Sequence, residues 1–401
     1  MGSRSLPAEP ATKNGGQVNT LQRQTFVGIS AIAVVAGVLA FGVGLTDGGA
    51  VRAWQAFLVN LLFFLGIAQG GVVVSASFYL TQARWGGAGL YRLAESFAGF
   101  LPLGFLLFWV LLAGRTLIFP WVNHPLPEKA AWLNVRFLFI RDGLGLLVMT
   151  LLSFFFIRAS QRSDAVQWAQ SYSNIDRPPS SVMRLSPILL IAYAAIYSML
   201  AFDLVMSLSP RWYSTLFGAY FFAGAYWSAL ATIALLAIFL RRTQAREHSA
   251  PHQNLLHDAG KLVFAFSVFW VYLFWSQYLP IWYADIPHES FFVVVRVHAM
   301  PWRPLSLAVV ILVWLVPFVF LMGRKPKQTP MILGPVCVLG LIGFWLERYV
   351  LVAPSLTPKA VPFGWIEAAI TVGFLGLFAL TTWPRLALVE DLHEPGEGHG
   401  Q

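Results

Sequence analysis

A chain of 401 residues that is 57% hydrophobic and only 11% charged is too apolar for a water-soluble domain, where about 25% of residues carry charge. The formal net charge of +9 comes from basic residues scattered over separate short loops, which argues against a nucleic-acid partner. The single cysteine, Cys337, excludes a disulfide or an iron–sulfur cluster built within the chain.

Residues 1–24, which include "SLPAEPATKNGGQVNT", read as a disordered cytoplasmic tail. No cleavable leader is evident, because the first apolar run is long and a second follows it. A hydrocarbon core ~30 Å thick needs ~20 apolar residues per helix. Ten such spans follow, at roughly 25–45, 55–80, 96–118, 133–157, 185–207, 214–240, 260–284, 303–322, 331–352 and 364–383. Long runs predict helices, whereas a membrane barrel would show short alternating segments. The expected fold is therefore an all-α membrane domain over 25–384, with 385–401, ending "EDLHEPGEGHGQ", as a second disordered tail.

With the N-terminus placed in the cytoplasm, sixteen Lys and Arg fall in inside segments and seven in outside segments. That bias predicts cytoplasmic termini. Trp121, Trp132, Trp212, Tyr213, Trp282, Tyr283, Trp302 and Trp365 fall at the outer edge, where amphipathic rings form a belt against the lipid headgroups.

An internal repeat organises the spans. "LAESFAGFLPLGFLLFW" (93–109) aligns with "AGKLVFAFSVFWVYLFW" (259–275), setting Glu95 against Lys261, Phe100 against Phe266, and "LFW" against "LFW". The span before each carries a small-residue patch, "GIAQGG" (66–71) and "GAYFFAGA" (218–225). Two parallel four-helix bundles follow, spans 2–5 and spans 6–9, with spans 1 and 10 peripheral.

The ionisable residues in or near the spans are the candidate functional groups. Buried charge in lipid is costly and faces a bundle interior. In "RFLFIRDGLG" (136–145), Asp142 lies ~12 Å below the outer edge, at ~1.5 Å per residue. Arg141 and Asp142 are adjacent in sequence and do not face each other, so their partners are on other helices or are water. Arg136, nearer the water, suits a static ion pair. Asp203, Glu347 and Arg348 lie near the outer ends of spans 5 and 9 and are expected to frame a polar opening there. Glu367 starts span 10, Glu95 lies near the cytoplasmic edge, and Asp258, paired with Lys261, suits a cap for span 7. Asp142, Arg141, Asp203, Glu95, Glu347, Arg348 and Lys261 make up a candidate proton path.

The eight histidines, His124, His248, His252, His257, His288, His298, His393 and His399, all fall in loops or tails. A membrane cytochrome needs axial ligands within the bilayer, so the chain is expected to bind no redox metal itself. No phosphate-binding, dinucleotide-binding or nucleophile-elbow motif is present in a suitable context.

Three stretches carry a family resemblance: "LNVRFLFIRD" (133–142), "AFDLVMSLSPRWYSTLFGAYFFAGAYWSAL" (201–230) and "HDAGKLVFAFSVFWVYLFWSQYLPIWYADIPHES" (257–290). They resemble the second of the two related ten-helix membrane subunits of alternative complex III, a bacterial quinol:cytochrome c oxidoreductase. Those subunits are related in turn to the polysulfide-reductase-like membrane proteins. The likeness covers essentially all ten spans and departs at the polar N-terminal extension. It implies an inner (cytoplasmic) membrane location and a non-redox-centre role in the complex. The implied partners are a related ten-helix subunit, a multihaem cytochrome c, an iron–sulfur protein and lipid. Haem c and iron–sulfur clusters would then sit in the partners, and quinone or quinol would be the associated small molecule. Two other readings stay open: the membrane anchor of a different molybdopterin–iron–sulfur oxidoreductase, and an independent secondary transporter with paired broken helices.

Overall fold

The computed structural model of the protein describes residues 14–46, 48–169, 177–243 and 251–391. Among these residues the ordered elements are all helical, and there is no strand. Ten segments are long and apolar enough to cross a membrane: Arg23–Thr46, Ala50–Leu80, Gly89–Val110, Val135–Ser160, Ser180–Leu208, Phe217–Phe239, Leu255–Ala284, Arg303–Phe320, Pro330–Leu356 and Trp365–Leu386. They are spans 1 to 10 in that order, and they make the chain an all-α, multi-pass membrane protein.

Spans 2–5 and spans 6–9 form two four-helix bundles. In each, the first helix packs on the second, the second on the third, the third on the fourth, and the fourth back on the first. Span 2 is buried along its whole apolar length, because spans 6, 9 and 10 cover the faces its own bundle leaves open. The two small-residue patches meet each other. A Cβ on Gly66 would stand 3.0 Å from the Ala225 Cβ, and one on Gly70 2.8 Å from that of Ala229. Helices in lipid associate through such close contact, since lipid tails supply no hydrophobic drive. Spans 1 and 10 stand to one side as an antiparallel pair. Phe26 packs on Trp383 with ring centroids 4.4 Å apart, and Gly37 meets Gly373 backbone to backbone.

Several boundaries differ from the sequence reading. The helix carrying span 1 begins at Asn14, so residues 14–24, expected in the N-terminal tail, are helical. Extending a nucleated helix adds a hydrogen bond for each residue fixed, and no proline intervenes. Likewise the last helix runs Trp365–Asp391, through residues expected in the C-terminal tail. Residues 1–13 and 392–401 lie outside the described residues. Span 3 is Gly89–Val110 rather than 96–118. The earlier turns carry Arg92 and Glu95, yet Tyr91, Leu93 and Glu95 are all buried there.

Proline marks two breaks. Phe97–Phe100 tightens to a 3-10 turn just before Pro102, and Ile311–Leu315 widens to a π turn just before Pro317. Proline removes a donor and crowds the carbonyl four residues back, so the preceding turn adjusts. The breaks fall in the second helix of one bundle and the third of the other, so they do not correspond.

The aromatic belt is partly internal. Trp132, Tyr213, Trp282, Tyr283 and Trp365 are exposed, as a belt requires, but Trp121, Trp212 and Trp302 are buried. Trp121 Nε1 donates to Ser207 Oγ at 3.3 Å, Trp302 Nε1 donates to the Pro358 carbonyl at 2.9 Å, and Trp212 stacks on Phe292 at 3.7 Å. These rings fasten the connecting segments to the bundle ends.

Close backbone approach gives a stability test. A Cβ on Gly99 of span 3 would lie 2.0 Å from the Thr381 carbonyl oxygen of span 10. Gly99→Ala must push two backbones apart and is expected to cost about 1–3 kcal/mol, read as a lower Tm of the detergent-solubilised protein. Gly28, with nothing within 4 Å of its added Cβ, is the control. Gly28→Ala should stay within about 0.5 kcal/mol of wild type.

Candidate functional site

The first bundle holds a charged cluster at the end away from the chain termini. Asn134 caps span 4, its side chain accepting from the backbone N–H of Arg136 at 3.0 Å and of Phe137 at 3.4 Å. The cap fixes where the helix starts, and Arg141 and Asp142 then fall in its second turn, ~10 Å along the axis. Arg141 reaches across to span 5. Its Nε and Nη2 donate to Asp203 Oδ2 at 2.8 and 2.5 Å. Trp132 Nε1 donates to the other oxygen of Asp203 at 3.0 Å, and the guanidinium lies over the Trp132 ring at 3.9 Å. Asp142 is completely buried, in electrostatic contact with Asp203 and Arg141. Its carboxyl group faces that of Asp203 within hydrogen-bond reach and accepts from no N–H or hydroxyl among the described residues. Arg136, expected in a static pair, is exposed, and it is Arg141 that ties span 4 to span 5.

Glu95 lies in the same bundle at the opposite end. Its Oε1 accepts from Ser75 Oγ of span 2 at 2.9 Å and from Ser160 Oγ of span 4. Its Oε2 stands 3.6 Å from Arg92 Nη1 and accepts no hydrogen bond among the described residues. Glu95 therefore joins three helices from a buried position, where an interface charge would face the water.

Polar side chains that the sequence reading passed over lie between the two clusters. Gln69 Nε2 of span 2 donates to Ser153 Oγ of span 4 at 2.9 Å. Tyr197 of span 5 donates to the Leu65 carbonyl of span 2 at 3.0 Å. Asp142, Ser153 and Ser160 are all on the buried side of span 4. Asp142 to Ser160 spans ~27 Å along the axis, with Ser153 ~16 Å from Asp142. Each of these neutral residues looks like ordinary helix filling in a single sequence; only the packing reveals that they share an interior.

The other proposed residues are elsewhere. Glu347 and Arg348 are buried in the second bundle, with Arg348 Nη1 2.8 Å from Glu347 Oε2. Arg348 Nη2 also donates to the Phe221 carbonyl at 2.8 Å. Asp203 and Glu347, expected to frame one opening, thus have different partners in different bundles. Lys261 pairs with Asp258 at 2.5 Å at the helix surface, its side chain 55% exposed, away from the other candidates. Asp258 is no cap, since its helix already begins at Pro251. Glu367 is a fastener: Arg52 Nε and Nη2 donate to its two oxygens at 2.9 Å each, and the Gly364 N–H donates at 2.8 Å.

Arg296 lies between spans 7 and 8, where an outer loop is expected, but it is buried. Its nitrogens donate to the carbonyls of Phe292, Val350 and Leu351 and to Ser355 Oγ, at 2.7–3.0 Å. Burial pulls its pKa down to about 9, which leaves it charged at neutral pH. Among the described residues no group of three His, Cys, Asp or Glu is arranged to hold a metal ion.

No family model matches the chain, and no curated protein sequence matches it. The fold and its buried charges define the class: a multi-pass, α-helical membrane protein of two bundles, each with ionisable groups in its interior.

Proposed function

We propose that this chain is an integral membrane subunit of a bacterial quinol:cytochrome c oxidoreductase of the alternative complex III type. In this reading it supports quinol oxidation by carrying protons through its first bundle. One observation carries the reading. The motifs "LNVRFLFIRD" and "AFDLVMSL", which carry the family resemblance, are the segments that supply Arg141, Asp142 and Asp203 to one buried cluster. A buried ionisable group is expensive in a membrane and marks a functional position. The path runs from Asp142, Arg141 and Asp203, past Tyr197, Gln69 and Ser153, to Ser160 and Glu95. Where no side chain bridges the intervals, water completes the path. Glu347 and Arg348 belong to a separate site, and Lys261 is a surface residue.

The complex places the chain in the inner membrane with both termini cytoplasmic. Its partners are the related ten-helix subunit, a multihaem cytochrome c and an iron–sulfur protein, which hold the haem c and the clusters. A secondary transporter would show broken helices in corresponding positions of its two halves, whereas the breaks in spans 3 and 8 do not correspond.

Co-purification tests this reading. The chain, tagged at Gln401 and gently solubilised from its native membrane, should bring down subunits with c-type haem absorbance and iron–sulfur signals. Recovery of the chain alone would overturn it, and recovery with a molybdopterin subunit would favour the other oxidoreductase.

A further inference from the structure

Spans 7, 8 and 9 form a basic corner at the end of the second bundle nearer the chain termini. Span 8 ends at Phe320 and span 9 begins at Pro330. The link between them is "LMGRKPKQT" (321–329), with Arg324–Gln328 wound into one short helix. That helix packs on the helix that carries span 7. The stem of Lys327 lies against Gly260, whose added Cβ would stand 2.9 Å from the Lys327 Cβ.

Topology alone would turn these cations toward water, since lysines at a membrane edge extend their ammonium outward. Lys327 does the reverse. It is 9% exposed, and its Nζ lies 4.8 Å over the Phe264 ring, three residues deeper into span 7 than Lys261. Its one hydrogen bond among the described residues is long, 3.4 Å to the Met322 carbonyl. An ammonium has three donors, so an oxygen-rich anion would gain the others. Burial and the nearby charge of Lys261 both lower the pKa of Lys327, and a bound anion would relieve that repulsion.

The surroundings add charge on one side only. Arg324 is exposed and precedes Lys327 by three residues, which puts both on one helix face. Lys325 is also exposed but lies roughly 160° around the helix from Lys327. Asp258 is the only acidic residue in Pro251–Ala284 or in 316–331, and Lys261 already pairs with it at 2.5 Å. Arg324 and Lys327 have no counter-charge among the described residues. Beside them Val319, Phe320 and Met322, all more than half exposed, make an apolar strip at the end of span 8.

We infer that this corner is a headgroup site for an anionic glycerophospholipid. Arg324 and Lys261 reach the phosphate from the water side, Lys327 supplies charge from beneath, and the acyl chains lie over Val319, Phe320 and Met322. The guanidinium fork matches two phosphate oxygens. Basic pockets between membrane helices suit such headgroups. A zwitterionic headgroup brings a cation of its own, which these residues repel, so the site selects net negative lipid. The lipid would fasten the link between spans 8 and 9 to span 7. The inference stands apart from the proposed function and does not depend on it.

The test is native mass spectrometry of the full chain, delipidated in detergent and titrated with dioleoylphosphatidylglycerol or dioleoylphosphatidylcholine. The first phosphatidylglycerol is expected to bind at least tenfold tighter than phosphatidylcholine. Arg324→Gln and Lys327→Gln should each weaken it at least fivefold. Lys325→Gln, on the opposite helix face, and Arg158→Gln, an exposed arginine at the same end of the first bundle, should weaken it less than twofold. Equal losses in all four variants would mean attraction by net charge alone and would overturn the inference. Equal affinity for the two lipids would also overturn it. So would displacement of phosphatidylglycerol by excess inorganic phosphate, which would make the corner a site for a soluble anion. If Lys327→Gln fails to fold, the exposed Arg324 decides: unchanged binding by Arg324→Gln refutes the site.

Discussion

Asp142→Asn is expected to leave the protein folded and assembled while slowing proton movement at least tenfold. The prediction follows from charge and geometry. Asp142, Asp203 and Arg141 share one buried cluster, with two formal negative charges against one positive. A single proton would bring the cluster to neutrality, and a charge left unbalanced in a membrane interior is costly. Asp203 is held by the N–H donors of Arg141 and Trp132, whereas Asp142 receives no such donor among the described residues and faces the Asp203 carboxyl group. In the proposed path the exchangeable proton is therefore assigned to Asp142. Asparagine keeps the size and the polarity but carries no titratable proton, so it holds the cluster permanently near neutrality. The measurement is proton release by the purified complex in liposomes, followed with a pH-sensitive dye and normalised to assembled protein. Asp142→Glu should recover part of the rate. Wild-type proton release by a fully assembled Asn variant would make Asp142 a structural residue and remove the proposed path.

Much of the fold was legible because lipid simplifies the code. An apolar run of sufficient length must satisfy its backbone internally, so it forms a helix, and all ten runs do so. The repeat also carried through, since the two glycine- and alanine-rich patches it identified pack on each other between spans 2 and 6. Boundaries failed where charge and burial coincide. Span 3 was expected to start after Glu95, at the cytoplasmic edge, but Glu95 is satisfied by serines from spans 2 and 4 that no local pattern could link to it. The site was legible to the same extent. Charge within a span flagged Arg141, Asp142, Asp203 and Glu347, because such residues are rare in lipid. Arg296 escaped because it follows a span break and resembles an ordinary loop arginine; its burial depends on carbonyls at the end of span 9. Gln69, Ser153 and Tyr197 escaped because a neutral side chain acquires meaning only from what it faces.

Arg141→Met should be the most damaging single change in the first bundle, and its rescue separates architecture from chemistry. The guanidinium makes two hydrogen bonds to Asp203 and lies over the Trp132 and Phe137 rings. Removing it leaves two buried carboxyl groups without a counter-charge, and breaking a buried pair from one side costs about 3–5 kcal/mol. That is a large share of the roughly 5–15 kcal/mol by which proteins are stable, so folded protein in the membrane should fall several-fold and Tm should drop. Replacing both partners with apolar residues of similar size is often neutral or stabilising. Arg141→Met with Asp203→Leu should therefore regain most of the lost folded protein, since spans 4 and 5 then pack through apolar contact. Proton movement should not return with it, because Asp142 has lost the charges that position its proton. If Arg141→Met alone is as stable as wild type, this ion pair does not join spans 4 and 5. If the double variant regains stability and wild-type proton movement together, the cluster serves assembly alone.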